Sequence, residues 1–219
     1  MSDHLQNELK KEFQLERLIL FSDAVFAIAI TLLAIELKVP SIPWKDATDA
    51  ALDASLMEMI PKFIGFLVSF FLIGLYWTVH HRMFGYVVAY TNKLLWLNLI
   101  FLLGVVLMPF STAFYSEYVA LMLDTPVILY AANISFLGFA SFFLWRHATH
   151  PAYHLTEGVT KQVRAYFSLR ALLVPVIFIV MAIVYLFVEP HLAIWIPPFV
   201  PLIMWGIKKY YQKKLRLKP

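Results

Sequence analysis

The chain of 219 residues contains no cysteine, which removes disulfide frameworks, thiolate metal sites, cysteine nucleophiles and thiol redox chemistry together. That absence leaves the compartment open. Glycine is scarce, with seven residues scattered along the chain, too few for a phosphate-cradling loop. No HExxH, GxSxG or GxxxxGK[ST] pattern occurs either, so the chain is read as a non-enzyme with no catalytic residue and no cofactor. A TVGYG-type filter, which selects ions with backbone carbonyls, is also missing. If ions pass, side chains must select them. Charge is sparse as well, at 15% of residues.

What replaces charge is grease. The chain is 61% hydrophobic and carries 19 Phe, 11 Tyr and 6 Trp. A water-soluble domain of this size cannot hide so much apolar surface, so lipid must take the remainder. Six apolar stretches stand out, at 18–37, 63–79, 94–115, 127–145, 171–188 and 192–207. A bilayer core about 30 Å thick takes about 17–25 helical residues to cross, which the first five supply. The sixth is the shortest and holds Pro197, Pro198 and Pro201, so a crossing there needs neighbours or water to satisfy the freed carbonyls. The expectation is an all-α polytopic membrane protein, a single domain over 1–219 with six transmembrane helices.

Orientation follows from the basic residues. With alternating crossings, all of the 18 Lys and Arg except Lys38, Lys45 and Lys62 fall on one face, which the positive-inside rule makes cytoplasmic together with both termini. In that count Arg170 lies just before the fifth stretch, on the cytoplasmic side. The other face carries Asp46, Asp49, Asp53, Glu58, Glu117, Asp124 and Glu189, which would concentrate cations. The net charge of +4 and the tail KKYYQKKLRLKP do not indicate nucleic acid, because the tail follows a membrane stretch and suits anionic lipid on the inner leaflet. The long first stretch, with Asp23 inside it, stays in the protein as a helix rather than a cleaved leader.

Histidines outside the first helix offer little chemistry. His147, His150 and His154 have a spacing that gathers a metal only on a helix, and Pro151 opposes helix there, so the segment is read as a solvated loop with no metal. His80, His81 and Arg82 close the second stretch beside Trp77, at the depth of Asp23. Asn98 and Asn133 sit inside the third and fourth stretches, where polar side chains hydrogen-bond between helices.

The first stretch, RLILFSDAVFAIAITLLAIEL, splits into two faces as a helix. Ala24, Ile28, Thr31, Leu32 and Ile35 form one stripe within about 60° of Ile28, and Ser22 and Asp23 lie on the other side. An aspartate facing lipid costs about 2.5–3.5 kcal/mol on insertion scales, so Asp23 should face protein donors. Ser22, Trp77, His80, His81 and Trp96 are the candidates, and the sequence does not choose among them. Arg17 lies six residues from Asp23, outside the three- and four-residue neighbour spacings, and is free to snorkel or to reach another helix.

Arg17, Phe21, Ser22 and Asp23 form an RxxxFSD motif at the start of a first membrane helix, followed by AVFAIAITLL and further spans. On that motif and span count the chain resembles the transmembrane protein 175 family of potassium channels, in its prokaryotic single-repeat form. The resemblance implies a homotetramer in a prokaryotic plasma membrane, conducting potassium ions along a pore lined by the first helix of each subunit. It implies that Ile28, Leu32 and Ile35 narrow the pore as apolar rings, with Thr31 adding hydroxyls between them. It further implies a structural network around the motif, to which Trp77, His80, His81, Trp96 and Asn98 are assigned here. The rival expectation is a cation- or proton-coupled secondary transporter using Asp23 and a histidine, although the internal repeat such a fold usually carries is not evident.

Overall fold

The computed structural model describes residues 2–193 and 196–215. Its helices are α1 (Ser2–Ile35), α2 (Asp49–Glu58), α3 (Ile60–Phe84), α4 (Asn92–Tyr118), α5 (Asp124–Ala148), α6 (Lys161–Phe187), α7 (Pro190–Ala193) and α8 (Val200–Leu215). Five of the described helices, within residues 12–35, 60–84, 92–121, 124–148 and 161–187, are long and apolar enough to cross a membrane. They overlap the first five apolar stretches and start before each of them. Hydropathy marks only the greasy middle of a helix, whereas backbone hydrogen bonding continues through interfacial and solvated turns.

Local chemistry sets the helix starts. Thr48, Thr91 and Thr160 cap α2, α4 and α6, each side-chain oxygen accepting a backbone N–H from inside the first turn. Pro61 enters α3 at its first turn, where its missing N–H is not needed. α1 stops at Ile35, ahead of Pro40 and Pro43. The short α2 lies in the acidic segment between α1 and α3, where apolar periodicity gives no sign of it, because it buries no residue.

α5 packs along α4 on one side and α6 on the other, while α1 lies against α3 and α4. Leu33 and Leu37 of the α1 end share a cavity with Pro109 and Glu117 near the end of α4, and Leu18 shares one with Leu95 near its start, so the two helices run parallel. α3 runs back against both of them. Lys62 at its start pairs with Glu117 at 2.6 Å. At the opposite level the loops after α3 and α5 join through Val88 N–H to Leu155 O and Glu157 N–H to Tyr86 O.

Lipid tails are as apolar as leucine, so close packing and polar bonds hold the bundle rather than hydrophobic burial between helices. Phe26, Ala29 and Leu33 of α1 meet Phe101 and Val105 of α4 and Ile134 and Leu137 of α5 in one core, and Trp145 anchors a second with Val79, Met83, Val163 and Phe167. Glycine sets two of the contacts. A Cβ at Gly138 would stand 2.5 Å from the Pro175 ring and 3.0 Å from the Ala171 carbonyl, and one at Gly65 would stand 2.9 Å from Ser116 Cβ. Pro175 sits inside the continuous α6 and removes the N–H that would serve Ala171, so the α5 backbone approaches α6 where one helical hydrogen bond is missing.

The sixth stretch differs from the single helix expected over 192–207. Its described residues form α7, a 3-10 turn at Pro197–Phe199 and α8, and residues 194 and 195 lie outside the described residues. Proline at 197, 198 and 201 removes the amide donors a continuous helix requires. The path still returns toward the start of α6, since the Tyr211 ring of α8 packs tilted against Tyr166 with ring centroids 5.2 Å apart. Residues 216–219 of the basic tail lie outside the described residues.

Arg170, counted with the basic residues of one face, is the tenth residue of α6, which starts at Lys161, and it is 8% exposed. The segment KQVRAYFSLR lies outside the apolar stretch because its charges mask an amphipathic turn, in which Val163, Tyr166, Phe167 and Arg170 are buried on one side.

Candidate functional site: the first helix and its polar anchor

α1 presents two faces of different fate. Leu15, Leu18, Ser22, Phe26, Ala29 and Leu33, spaced by three and four residues, are buried against the bundle. Opposite them, Ala24 and Thr31 are exposed, as are Ile28 (59%), Leu32 (38%) and Ile35 (67%). Only 28% of the most apolar 18 residues of α1 are buried, against 61% in α5, so this chain leaves most of its first helix uncovered.

A hydrogen-bonded relay holds the buried face. Ser22 Oγ donates to the Leu18 carbonyl at 2.8 Å. Asn98 Nδ2 of α4 donates to Ser22 Oγ at 2.8 Å, and Asn98 Oδ1 lies 2.8 Å from His80 Nε2 of α3. Ser22, His80 and Asn98 are all buried, and the relay ties three helices at one depth. The His80 ring is packed among Phe84 (4.3 Å), Phe101 (5.4 Å) and Phe26 (5.7 Å), which excludes water and strengthens each polar bond.

Asp23 lies beside this relay rather than inside it. Trp77 Nε1 donates to Asp23 Oδ1 at 2.9 Å, and the Trp77 ring stacks on His81 at 5.6 Å. Among the candidate donors, then, the tryptophan of α3 serves the carboxylate. The remaining motif residues go elsewhere. The Arg17 guanidinium sits 5.8 Å from the Phe13 ring centre. Arg17 and Phe21 share an open cavity with Gln14, Tyr90, Leu95 and Leu99. Trp96 is 63% exposed, and its side chain makes no hydrogen bond among the described residues.

Two groups of buried hydroxyls escaped the sequence reading. Ser69 Oγ of α3 lies 2.9 Å from Tyr130 OH of α5 and 2.7 Å from Thr112 Oγ1 of α4, and Asn133 Nδ2 donates to Ser111 Oγ at 3.0 Å. Asn133 had been recognised, but single Ser, Thr and Tyr residues in a greasy helix carry no period that separates a core hydroxyl from a lipid-facing one. In the loop, His150 Nδ1 accepts from Ala152 N–H, and the His147 and His150 rings both lie against Tyr153, at 4.7 and 4.8 Å. No group of three potential metal ligands occurs among the described residues.

Comparison with known proteins identifies the arrangement. Residues 17–109 match the family model described as "Endosomal/lysosomal potassium channel TMEM175". A potassium channel of Chamaesiphon minutus is 35% identical over 170 residues, covering 72% of this chain and 81% of that protein. The chain belongs to the TMEM175 family. A second relative, a potassium channel of a Chryseobacterium species, is 30% identical over 203 residues, 91% of this chain and 97% of its own length. The crystal structure of a lysosomal potassium-selective channel TMEM175 homolog from Chamaesiphon minutus superposes with a TM-score of 0.73 at 26% identity, covering 91% of this chain and 99% of that one. The family match spans α1 from Arg17, α3 and most of α4, the helices joined by Ser22, His80 and Asn98. TMEM175 is a family of ion channels, not enzymes.

Proposed function

We propose that this protein is a potassium-selective channel of the cell membrane, in which identical subunits, four by family resemblance, surround an axis and line it with α1. The membrane would be a prokaryotic plasma membrane, as for its bacterial relatives. The observation that carries the reading is the uncovered stripe of Ile28, Thr31, Leu32 and Ile35, set opposite a face bound by three helices.

Around an axis, each of Ile28, Leu32 and Ile35 becomes an apolar ring. Such rings disfavour water and impose a dehydration barrier on a passing ion. Potassium holds its hydration shell less tightly than sodium and crosses that barrier more readily. Thr31 Oγ1 donates to the Ile28 carbonyl at 2.8 Å, so its proton is committed to its own helix and its lone pairs remain for a cation. Six crossings with both termini in the cytoplasm complete the topology, supported by the return of α8 to the start of α6.

The test is reversal potential in proteoliposomes with potassium on one side and sodium on the other. Thr31→Val should shift the reversal potential toward the non-selective value, and Ile28→Asn should raise current and lower selectivity. Unchanged reversal in the first variant removes Thr31 from selection. Unchanged conductance in the second places Ile28 away from the path. Uptake that saturates and exchanges with a second ion would instead favour the transporter using Asp23 and a histidine.

A further inference from the structure

Arg170 is a buried cation in a membrane helix with almost nothing to pair with. Among the described residues its guanidinium makes one side-chain hydrogen bond, from Nη1 to Tyr166 OH at 3.1 Å, and lies 5.5 Å from the centre of that ring. Its Nε is enclosed and has no partner. A guanidinium carries five N–H donors, and a buried charge without a counter-ion costs several kcal/mol or more. No counter-ion is at hand on the packed elements. α3, α6 and α8 contain no Asp or Glu, and the only one on α5 is Asp124 at its first residue, the opposite end of the bundle.

An apolar cavity of about 370 Å³ opens between the same helices, walled by Val68, Leu72, Leu75, Phe178, Val200 and Met204. Phe178 lies eight residues beyond Arg170 on α6, which places the cavity about 12 Å deeper along the helix. On α8, Met204 lies seven residues before Tyr211, whose ring packs against Tyr166, so the spacing there is about 10 Å. The Arg170 bond to Tyr166 turns the guanidinium back toward the start of α6, the basic end of the bundle. A cation at that level above a greasy slot matches the length and polarity of a lipid that has a charged head and an alkyl chain.

We infer that the groove between α3, α6 and α8 holds an acyl chain of an anionic membrane phospholipid whose phosphate pairs with Arg170. The lipid would join the proline-broken C-terminal segment to α3, where few direct protein contacts do so. The inference concerns a lipid site within one subunit and does not depend on where ions pass.

Native mass spectrometry of the full chain, delipidated and returned to equal amounts of phosphatidylglycerol and phosphatidylcholine of the same acyl length, tests it. Wild type should retain phosphatidylglycerol preferentially, and Arg170→Gln should cut that preference about fivefold, the effect expected of one basic group near a lipid head. Lys208 and Lys209 are present in both proteins, so the change on substitution is the relevant quantity. Arg170→Lys should keep most of the preference. Val68→Trp, at the half-covered rim, should reduce retention of both lipids by filling the slot. An unchanged lipid ratio in Arg170→Gln, or full retention in Val68→Trp, overturns the proposal. So does equal displacement by soluble glycerol phosphate, which would mark an anion site without an acyl groove.

Discussion

Replacing Asn98 with leucine tests the relay that positions α1. The polarity of the relay can be worked through atom by atom. Ser22 has one hydroxyl proton and gives it to the Leu18 carbonyl, so toward Asn98 it can only accept. The amide nitrogen of Asn98 therefore faces Ser22, its oxygen faces His80, and His80 Nε2 must carry a proton. Leucine nearly preserves the volume and strips both bonds. Interhelical hydrogen bonds in membranes contribute about 0.6 kcal/mol on average and about 1.7 at most, and an abandoned buried donor adds about 1–3 kcal/mol. A loss of about 2 kcal/mol is expected, read from reversible unfolding in mixed lipid–detergent micelles. The decisive measurement is a double-mutant cycle with Ser22→Ala, for which a coupling of about 0.6–1.7 kcal/mol is expected. Additivity within about 0.3 kcal/mol would show that Asn98 and Ser22 do not act together, and the account of how α1 is anchored would fail.

Three other outcomes follow from the same geometry. Trp77→Phe removes the donor to Asp23 while keeping the stack on His81, so Asp23→Asn should cost less stability in the Trp77→Phe background than in wild type; equal costs would place the partner of Asp23 elsewhere. Gly138→Ala drives a methyl against the Pro175 ring and should cost about 1–3 kcal/mol, whereas Gly74→Ala, with nothing within 4 Å of the new methyl, should be neutral or stabilising by up to about 1 kcal/mol. Comparing the two unfolding midpoints checks both. Tyr130→Phe withdraws the hydroxyl that Ser69 meets at 2.9 Å, with an expected loss of about 0.6 kcal/mol in the same assay.

Span existence was legible in the chain because a helix in lipid satisfies every backbone group internally, and a run of about 20 apolar residues announces it. Five of the six expected stretches are single helices long enough to cross. Their ends were not legible. Lys161 to Arg170 begin α6 with charged and aromatic residues that hydropathy discards, so the apolar stretch starts ten residues after the helix does. The sixth stretch shows the opposite error, since its apolar composition reads as one helix while its prolines divide it.

The site divides along the same line. The period of 3.6 residues alone separates Ile28, Thr31, Leu32 and Ile35 from Ser22 and Asp23, because side-chain direction on a helix is a local property. Which stripe the bundle covers is not local. It follows from the neighbours that α3 and α4 supply, and here they cover the serine side and leave the isoleucine side bare. The pairing of Asp23 with Trp77, rather than with His80, His81 or Trp96, depends on the rotation of α3 against α1. Sequence determined the faces of each helix by periodicity and the class of the protein by its composition. Packing alone decided which face met which, because a hydrogen bond between residues 54 or 76 positions apart exists only once two helices have docked in one register.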